Sequence, residues 1–263
     1  MMIENSLLIL SALFGAVVGS FLNVVILRLP ESDQSIVFPA SHCPQCSSPL
    51  NWYENIPILS YIFLRGRCGH CNTSISLQYP LVELLMAIVT VALVQRFELS
   101  FATAGYFVLS AALLVIIFID IRLQIIPDVI SLPGIVLGFL FSLVSDTVTW
   151  QSSLIGILAG GGVLYAVALF YTILRKIDGM GGGDIKLLAM IGAWLGWQAL
   201  PFVILMSSTT GSIVGIVAMC RQKKGGQTRI PFGPFLSLAA LTYIFYSENI
   251  FNYYTLYLNG QWP

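Results

Sequence analysis

The feature that most constrains this chain is a series of long apolar runs without charge. Leu7 to Leu27 carries none, and neither do Phe101 to Ile119, Ser152 to Leu174 or Leu200 to Cys220. The hydrocarbon core of a bilayer takes about 20 apolar residues per helix. Val129 to Ser145 is similar, with Pro133 in its first turns. Pro80 to Gln95 is apolar apart from Glu83, and Ile185 to Trp197 is short, with Lys186 near its start. Pro231 to Tyr246 completes a set of eight candidate helices. These are continuous runs, not the alternating segments of an outer-membrane barrel. Charged residues make up only 9% of the chain, against about a quarter in a soluble domain. The 57% apolar content excludes a disordered chain. The formal net charge is zero, so no basic field exists to attract nucleic acid. The expectation is an all-α polytopic membrane protein with about eight transmembrane helices.

The loops predict its orientation. Connections leaving odd-numbered helices carry Arg28, Arg65 and Arg67, then Arg122, then Arg175, Lys176 and Lys186, then Arg221, Lys223, Lys224 and Arg229. The opposite side has only Arg96. Positive charge marks the cytoplasmic face, so both termini are expected outside. The start, Met1-Met2-Ile3-Glu4-Asn5, has no positive n-region, and the first helix is expected to be retained. Residues 30–79 are too polar to span. They read as a small cytoplasmic insert between a first helix, 1–29, and a seven-helix portion, 80–263. No internal repeat is evident.

Four of the five cysteines lie in the insert, as Cys43-Pro44-Gln45-Cys46 and Cys68-Gly69-His70-Cys71, with 21 residues between the pairs. Two CxxC turns at this spacing can present four thiolates tetrahedrally to zinc. Four thiolates leave no open position, so such a metal is structural. It would also stabilise a segment too small to build its own core. Disulfides are the rival reading, disfavoured on a reducing cytoplasmic side. His42 and His70 flank the cysteines as spare ligands, and Cys220 reads as a packing residue.

Charges near membrane depth are costly and each needs a reason. Asp120 ends the run Val115 to Ile119, and Asp184 follows Gly181-Gly182-Gly183. Both fall at the cytoplasmic end of their helices, the third and the sixth. The glycines remove side chains and leave room for another backbone to approach. Two carboxylates brought together can share a proton, one acting as general base on water and the other as general acid. Helix capping competes with this reading: Asp184 suits an N-cap, whereas Asp120 sits at a helix C-terminus, where its charge opposes the dipole. Membrane carboxylates also serve proton relays and ion paths. Asp128 opens a helix and reads as a cap; Asp178 reads as solvated; Glu83 reads either as a cap-proximal acid or as part of a polar site. No GxSxG, HExxH, Walker or Rossmann sequence occurs.

Taken in order, these motifs resemble the type IV prepilin peptidases, bifunctional leader peptidase/N-methyltransferases of the GxGD aspartyl protease type. Gly19-Ser20-Phe21-Leu22-Asn23 with Arg28-Leu29-Pro30 resembles the opening signature, and the tetracysteine insert with Asn55-Ile56-Pro57 and Tyr79-Pro80 resembles the zinc region. Asp120 with Pro127-Asp128, then Gly181 to Asp184 with Lys186, then Pro231-Phe232-Gly233-Pro234 follow in the family's order. The resemblance implies a dyad of Asp120 and Asp184. Gly181, Gly182, Gly183, Lys186 and Glu83 are expected near the substrate, with Glu83 or Asp178 as partners for positive charges of its leader. The resemblance also implies zinc on Cys43, Cys46, Cys68 and Cys71. The substrates it implies are prepilins, pseudopilins or competence pilins, cut after a glycine at the cytoplasmic face of the bacterial inner membrane. The new N-terminus would then be methylated from S-adenosylmethionine. The partners would be pilin precursors and lipid. A proton-coupled transporter using the same aspartates is the first alternative, and a non-catalytic pilin-binding assembly factor the second.

Overall fold

The computed structural model describes residues 2–31, 35–175, 181–222 and 230–258. Lys176, Lys223, Lys224 and Arg229, which carry part of the orientation argument, and Asp178, expected to be solvated, lie outside the described residues. The chain is α-helical, with no strand among the described residues, and every one of the eight expected runs is a helix. These are α1 Met2–Arg28, α3 Gln78–Phe97, α4 Phe101–Leu123, α5 Asp128–Val144, α6 Trp150–Arg175, α7 Gly182–Leu195, α8 Leu200–Gln222 and α9 Gly233–Leu258. A further short helix, α2 Leu59–Phe63, lies in the insert. Among the described residues, five stretches are long and apolar enough to cross a bilayer: Asn5–Arg28, Gln78–Phe97, Phe101–Leu123, Trp150–Leu174 and Trp197–Cys220. The apolar α5 is shorter. Exposed Leu158, Phe170, Leu205 and Ile213 on α6 and α8 point apolar side chains outward, as lipid requires.

The chain divides into two compact units, Met1–Val115 and Ile116–Pro263. In the first, α1 packs along α3. A side-chain carbon on Gly15 would lie 2.8 Å from the Met86 carbonyl oxygen, and one on Gly19 would lie 2.7 Å from Glu83 Cα. Gly15 and Gly19 are one turn apart, so the two backbones meet directly, the close approach that lets membrane helices gain dispersion contacts. Val82, Met86, Leu93 and Val94 form the buried stripe of α3. Phe14 stacks on Phe107 at 5.3 Å and Phe97 on Tyr106 at 5.1 Å.

In the second unit α7 is the central helix, buried continuously from Leu187 to Leu195. Small residues on both neighbours make this possible. On α5, Gly134 accommodates Met190 and Gly138 accommodates Trp194, whose indole N–H donates to the Gly134 carbonyl at 2.8 Å. On α6, Gly156 lies against Gly192 backbone to backbone, and Gly160 faces the Leu188 carbonyl. The Ser153 hydroxyl donates to the Ala193 carbonyl at 2.7 Å. α7 stops at Gly196, whose φ of 78° turns the chain while its N–H bonds the Gly192 carbonyl. Cys220 is exposed on α8 and so is not the packing residue its setting suggested.

Candidate active site and metal centre

Asp120 lies one turn before the end of α4 and is only 4% exposed. Its Oδ2 accepts the Gly233 N–H at 3.0 Å. Gly233 opens α9, so the carboxylate of one helix C-terminus meets the orphan donors at the N-terminus of another. This resolves the awkwardness of a negative charge at the end of α4. A side-chain carbon on Gly233 would lie 2.6 Å from Asp120 Oδ2 and 3.1 Å from Ile126 Cδ1, so only glycine leaves the carboxylate in place.

Asp184 is the third residue of α7 and half-buried. Its side chain makes no capping bond; Gly181 is the N-cap residue. The capping explanation therefore fails for this residue. Gly183, just before it, lies against Ile126, where a side-chain carbon would come within 2.9 Å of Ile126 Cβ. Ile126 thus touches both the glycine preceding Asp184 and the glycine that holds Asp120. The negative charge of Asp120 acts on Asp184. Gly181 and Gly182 behave differently from Gly183: among the described residues, nothing lies within 4 Å of a side-chain carbon on either.

Asp128 does not cap α5 with its side chain. Its two oxygens instead take Lys186 Nζ at 2.7 and 2.8 Å, tying the start of α5 to the first turns of α7 two residues beyond Asp184. The expected cap is thus an ion-pair partner. Glu83, weighed as a cap-proximal acid or a polar-site member, is buried on α3 and accepts the Ile58 N–H at 2.7 Å, with Ser20 as a further partner. Ile58 has φ of 63°, a left-handed conformation rare for a β-branched residue, and this hydrogen bond fixes its turn.

Two contributors escaped the sequence. Ile126 offered no signal, being one apolar residue in an apolar chain. Gly233 did stand in a quoted motif, between two prolines at the start of a helix; the signal was present, but its partner was not visible.

The four cysteine sulfurs of the insert lie within 4.8 Å of one another, and Cys43 Sγ is 3.8 Å from Cys71 Sγ. Zn–S bonds of about 2.3 Å in a tetrahedron give sulfur–sulfur edges of about 3.8 Å, so the set fits zinc. None of the four is disulfide-bonded. The Thr73 hydroxyl, 3.3 Å away, pulls the Cys71 thiol down to about 6, and the Ser48 hydroxyl lowers Cys46. Both favour the thiolate that metal requires. The two turns are alike, a short repeat that the residue identities conceal. Cys43 N–H bonds Ser48 and Cys68 N–H bonds Thr73, while Ser47 N–H returns to Cys43 and Asn72 N–H to Cys68. Ser47 and Asn72 take the same left-handed φ, 55° and 57°. His42 bonds the Ala40 carbonyl and His70 lies 3.8 Å from Glu54, so both have partners other than the sulfurs.

This combination of an N-terminal tetracysteine insert and a polytopic helical part bearing two interacting aspartates has a counterpart. Residues 13–97 match the bacterial peptidase A24 N-terminal domain, and residues 107–216 match the type IV leader peptidase family. The chain belongs to that family of membrane peptidases. It is 38% identical over 92% of its length to the prepilin leader peptidase/N-methyltransferase of Aeromonas hydrophila, covering 91% of that protein. It is 40% identical over 88% of its length to the protein of the same name from Neisseria gonorrhoeae, covering 87% of it. The corresponding protein of Burkholderia pseudomallei strain 1026b is 38% identical over 88% of this chain and 83% of its own. No solved structure matches the chain. The transporter alternative gains no support from this kinship.

Proposed function

We propose that this protein is a membrane aspartyl endopeptidase of the inner membrane, and that it removes the basic leader of type IV prepilins, pseudopilins or competence pilins. Asp120 and Asp184 form its dyad. The observation that supports the reading is that Ile126 packs against both Gly183, which precedes Asp184, and Gly233, whose N–H holds Asp120. Carboxyls brought close together hold one proton more readily than none. The ionised one takes a proton from water as the hydroxyl adds to the scissile carbonyl. The protonated one donates to the carbonyl oxygen. Collapse of the tetrahedral diol then breaks the C–N bond, and the departing amine takes up a proton.

A prepilin has a basic leader in the cytoplasm and an apolar helix in the bilayer, so its cleavage point lies at the cytoplasmic interface. The absence of any described atom within 4 Å of a side-chain carbon at Gly181 or Gly182 supports approach of an extended peptide beside Asp184. The basic loops support an insert and dyad on the cytoplasmic side, with both termini outside. Lys186 is engaged by Asp128, so its part in this reading is to hold the first turns of α7. Glu83, buried under the insert, supports the fold of the substrate's surroundings and not a direct contact. Cys43, Cys46, Cys68 and Cys71 would hold a structural zinc, which supplies cross-linking of the insert and no chemistry on the substrate.

Methylation of the new N-terminus from S-adenosylmethionine rests on the names of the relatives.

The test uses the full-length protein in liposomes with a synthetic pilin precursor, with and without S-adenosylmethionine, read by mass. Asp120→Asn and Asp184→Asn should each abolish cleavage while leaving the helical circular dichroism unchanged. Wild-type cleavage by either variant would remove the dyad, and a product lacking the added methyl mass would remove the transferase step alone.

A further inference from the structure

The insert is tethered at both ends to membrane-capable helices, leaving α1 at Arg28 and entering α3 at Gln78. It therefore lies against a bilayer face. Within it, α2 is built inside out. Leu59, Ile62 and Phe63, spaced i, i+3 and i+4 on one side, are 51%, 62% and 81% exposed. Tyr61, on the other side, turns inward, its hydroxyl donating to the Ile75 carbonyl at 3.3 Å and packing under Gly66. A soluble segment would bury the apolar stripe and expose the tyrosine.

The Ile58 to Glu83 hydrogen bond sets the depth of α2. Glu83 lies five residues into α3, about 7–8 Å along its axis at 1.5 Å per residue. The start of α2 is thus held level with the second turn of a spanning helix, where headgroups give way to acyl chains. Exposed Leu81 and Leu84 of α3 flank the same depth. Arg65 and Arg67, both exposed, follow α2 directly, and exposed Trp52 sits on the 3-10 turn Trp52–Asn55 that contacts α2. Indole and guanidinium groups beside an apolar stripe are the chemistry of an anionic lipid interface.

We propose that α2 is an interfacial anchor for the insert, with Leu59, Ile62 and Phe63 in the upper acyl region of an anionic phospholipid leaflet and Arg65 and Arg67 at its phosphates. Leu81 and Leu84 expose further apolar side chains on the spanning helix α3 beside Glu83, which argues for lipid over a protein partner. The anchor restrains the insert independently of the metal and fixes its height at the membrane.

The experiment places a photo-activated benzoylphenylalanine at position 63, or at exposed position 40 outside the cysteine turns as a control, in full-length protein in nanodiscs. The lipid is phosphatidylethanolamine with phosphatidylglycerol, radiolabelled in the acyl chains. Light should transfer label to position 63 and not to position 40. No label at 63, equal label at both sites, or a link from 63 to this chain or a second copy in place of lipid would overturn the anchor. Replacing phosphatidylglycerol by phosphatidylcholine should lower the yield several-fold, and an unchanged yield would overturn the anionic preference. The triple variant Leu59→Ser, Ile62→Ser, Phe63→Ser should keep its zinc content but exchange the amides of residues 59–67 several-fold faster in nanodiscs. Unchanged exchange would overturn the proposal.

Discussion

In the insert, four sulfurs gather segments separated by 21 residues, and little apolar burial surrounds them. Around α7 there is no such cross-link. Cohesion there comes from backbone meeting backbone at Gly156 and Gly192, from Gly134 and Gly138 receiving Met190 and Trp194, and from one buried indole hydrogen bond. The first region concentrates its stability in a few named atoms. The second spreads it along whole helix faces. A concentrated device leaves a spacing signature and fails all at once; a spread one leaves only small residues at intervals of four and fails by degrees.

Metal removal is the sharpest way to separate the two. A strong chelator should abolish hydrogen-exchange protection in the two cysteine turns, residues 41–50 and 68–75, since zinc on four thiolates contributes on the order of 10 kcal/mol to such modules. Protection in α5 to α7 should persist. Simultaneous loss in both regions would break the contrast. Next in size is Gly192→Leu. Its side chain has no room against Gly156, and overpacking of this kind costs about 1–3 kcal/mol or more. The detergent melting temperature should fall while zinc stoichiometry stays the same.

Gly233→Ala acts on the site and not on the scaffold. The added methyl displaces the Asp120 carboxyl, and cleavage should drop by about two orders of magnitude with little change in melting temperature. Near-normal kcat would show that Asp120 tolerates the shift. Smallest is Lys186→Met. The Lys186–Asp128 pair is well exposed, so its loss should cost about 1 kcal/mol or less in stability. The charge swap Asp128→Lys with Lys186→Asp should recover most of any lost kcat. Failure of the swap alongside a large single-variant defect would point to a role for Lys186 beyond that pair.

What was readable in the sequence follows the same contrast. The eight helix runs could be located because sustained apolarity along the chain is a one-dimensional property. The cysteine cluster could be read because CxxC spacing is one too. The two aspartates stood out because charge at membrane depth is conspicuous. What could not be read depends on contacts between distant segments. Asp128 has a cap's position and an ion pair's partner, 58 residues away. Glu83 looked available for substrate because its acceptor role toward Ile58 arises only after the insert folds back on α3. The likeness of the two cysteine turns was hidden because backbone angles at Ser47 and Asn72 repeat while their side chains do not.

The donor that steadies Asp120 belongs to the main chain of Gly233. Every amino acid but proline supplies an amide there, so no ordinary codon change deletes the proton without also adding bulk or bending the chain. Side-chain scanning would therefore score position 233 purely as a matter of room. Replacing that single peptide link by an ester, which removes the proton and adds no atoms beyond the original count of heavy ones, would separate the electrical contribution of the amide from the need for space.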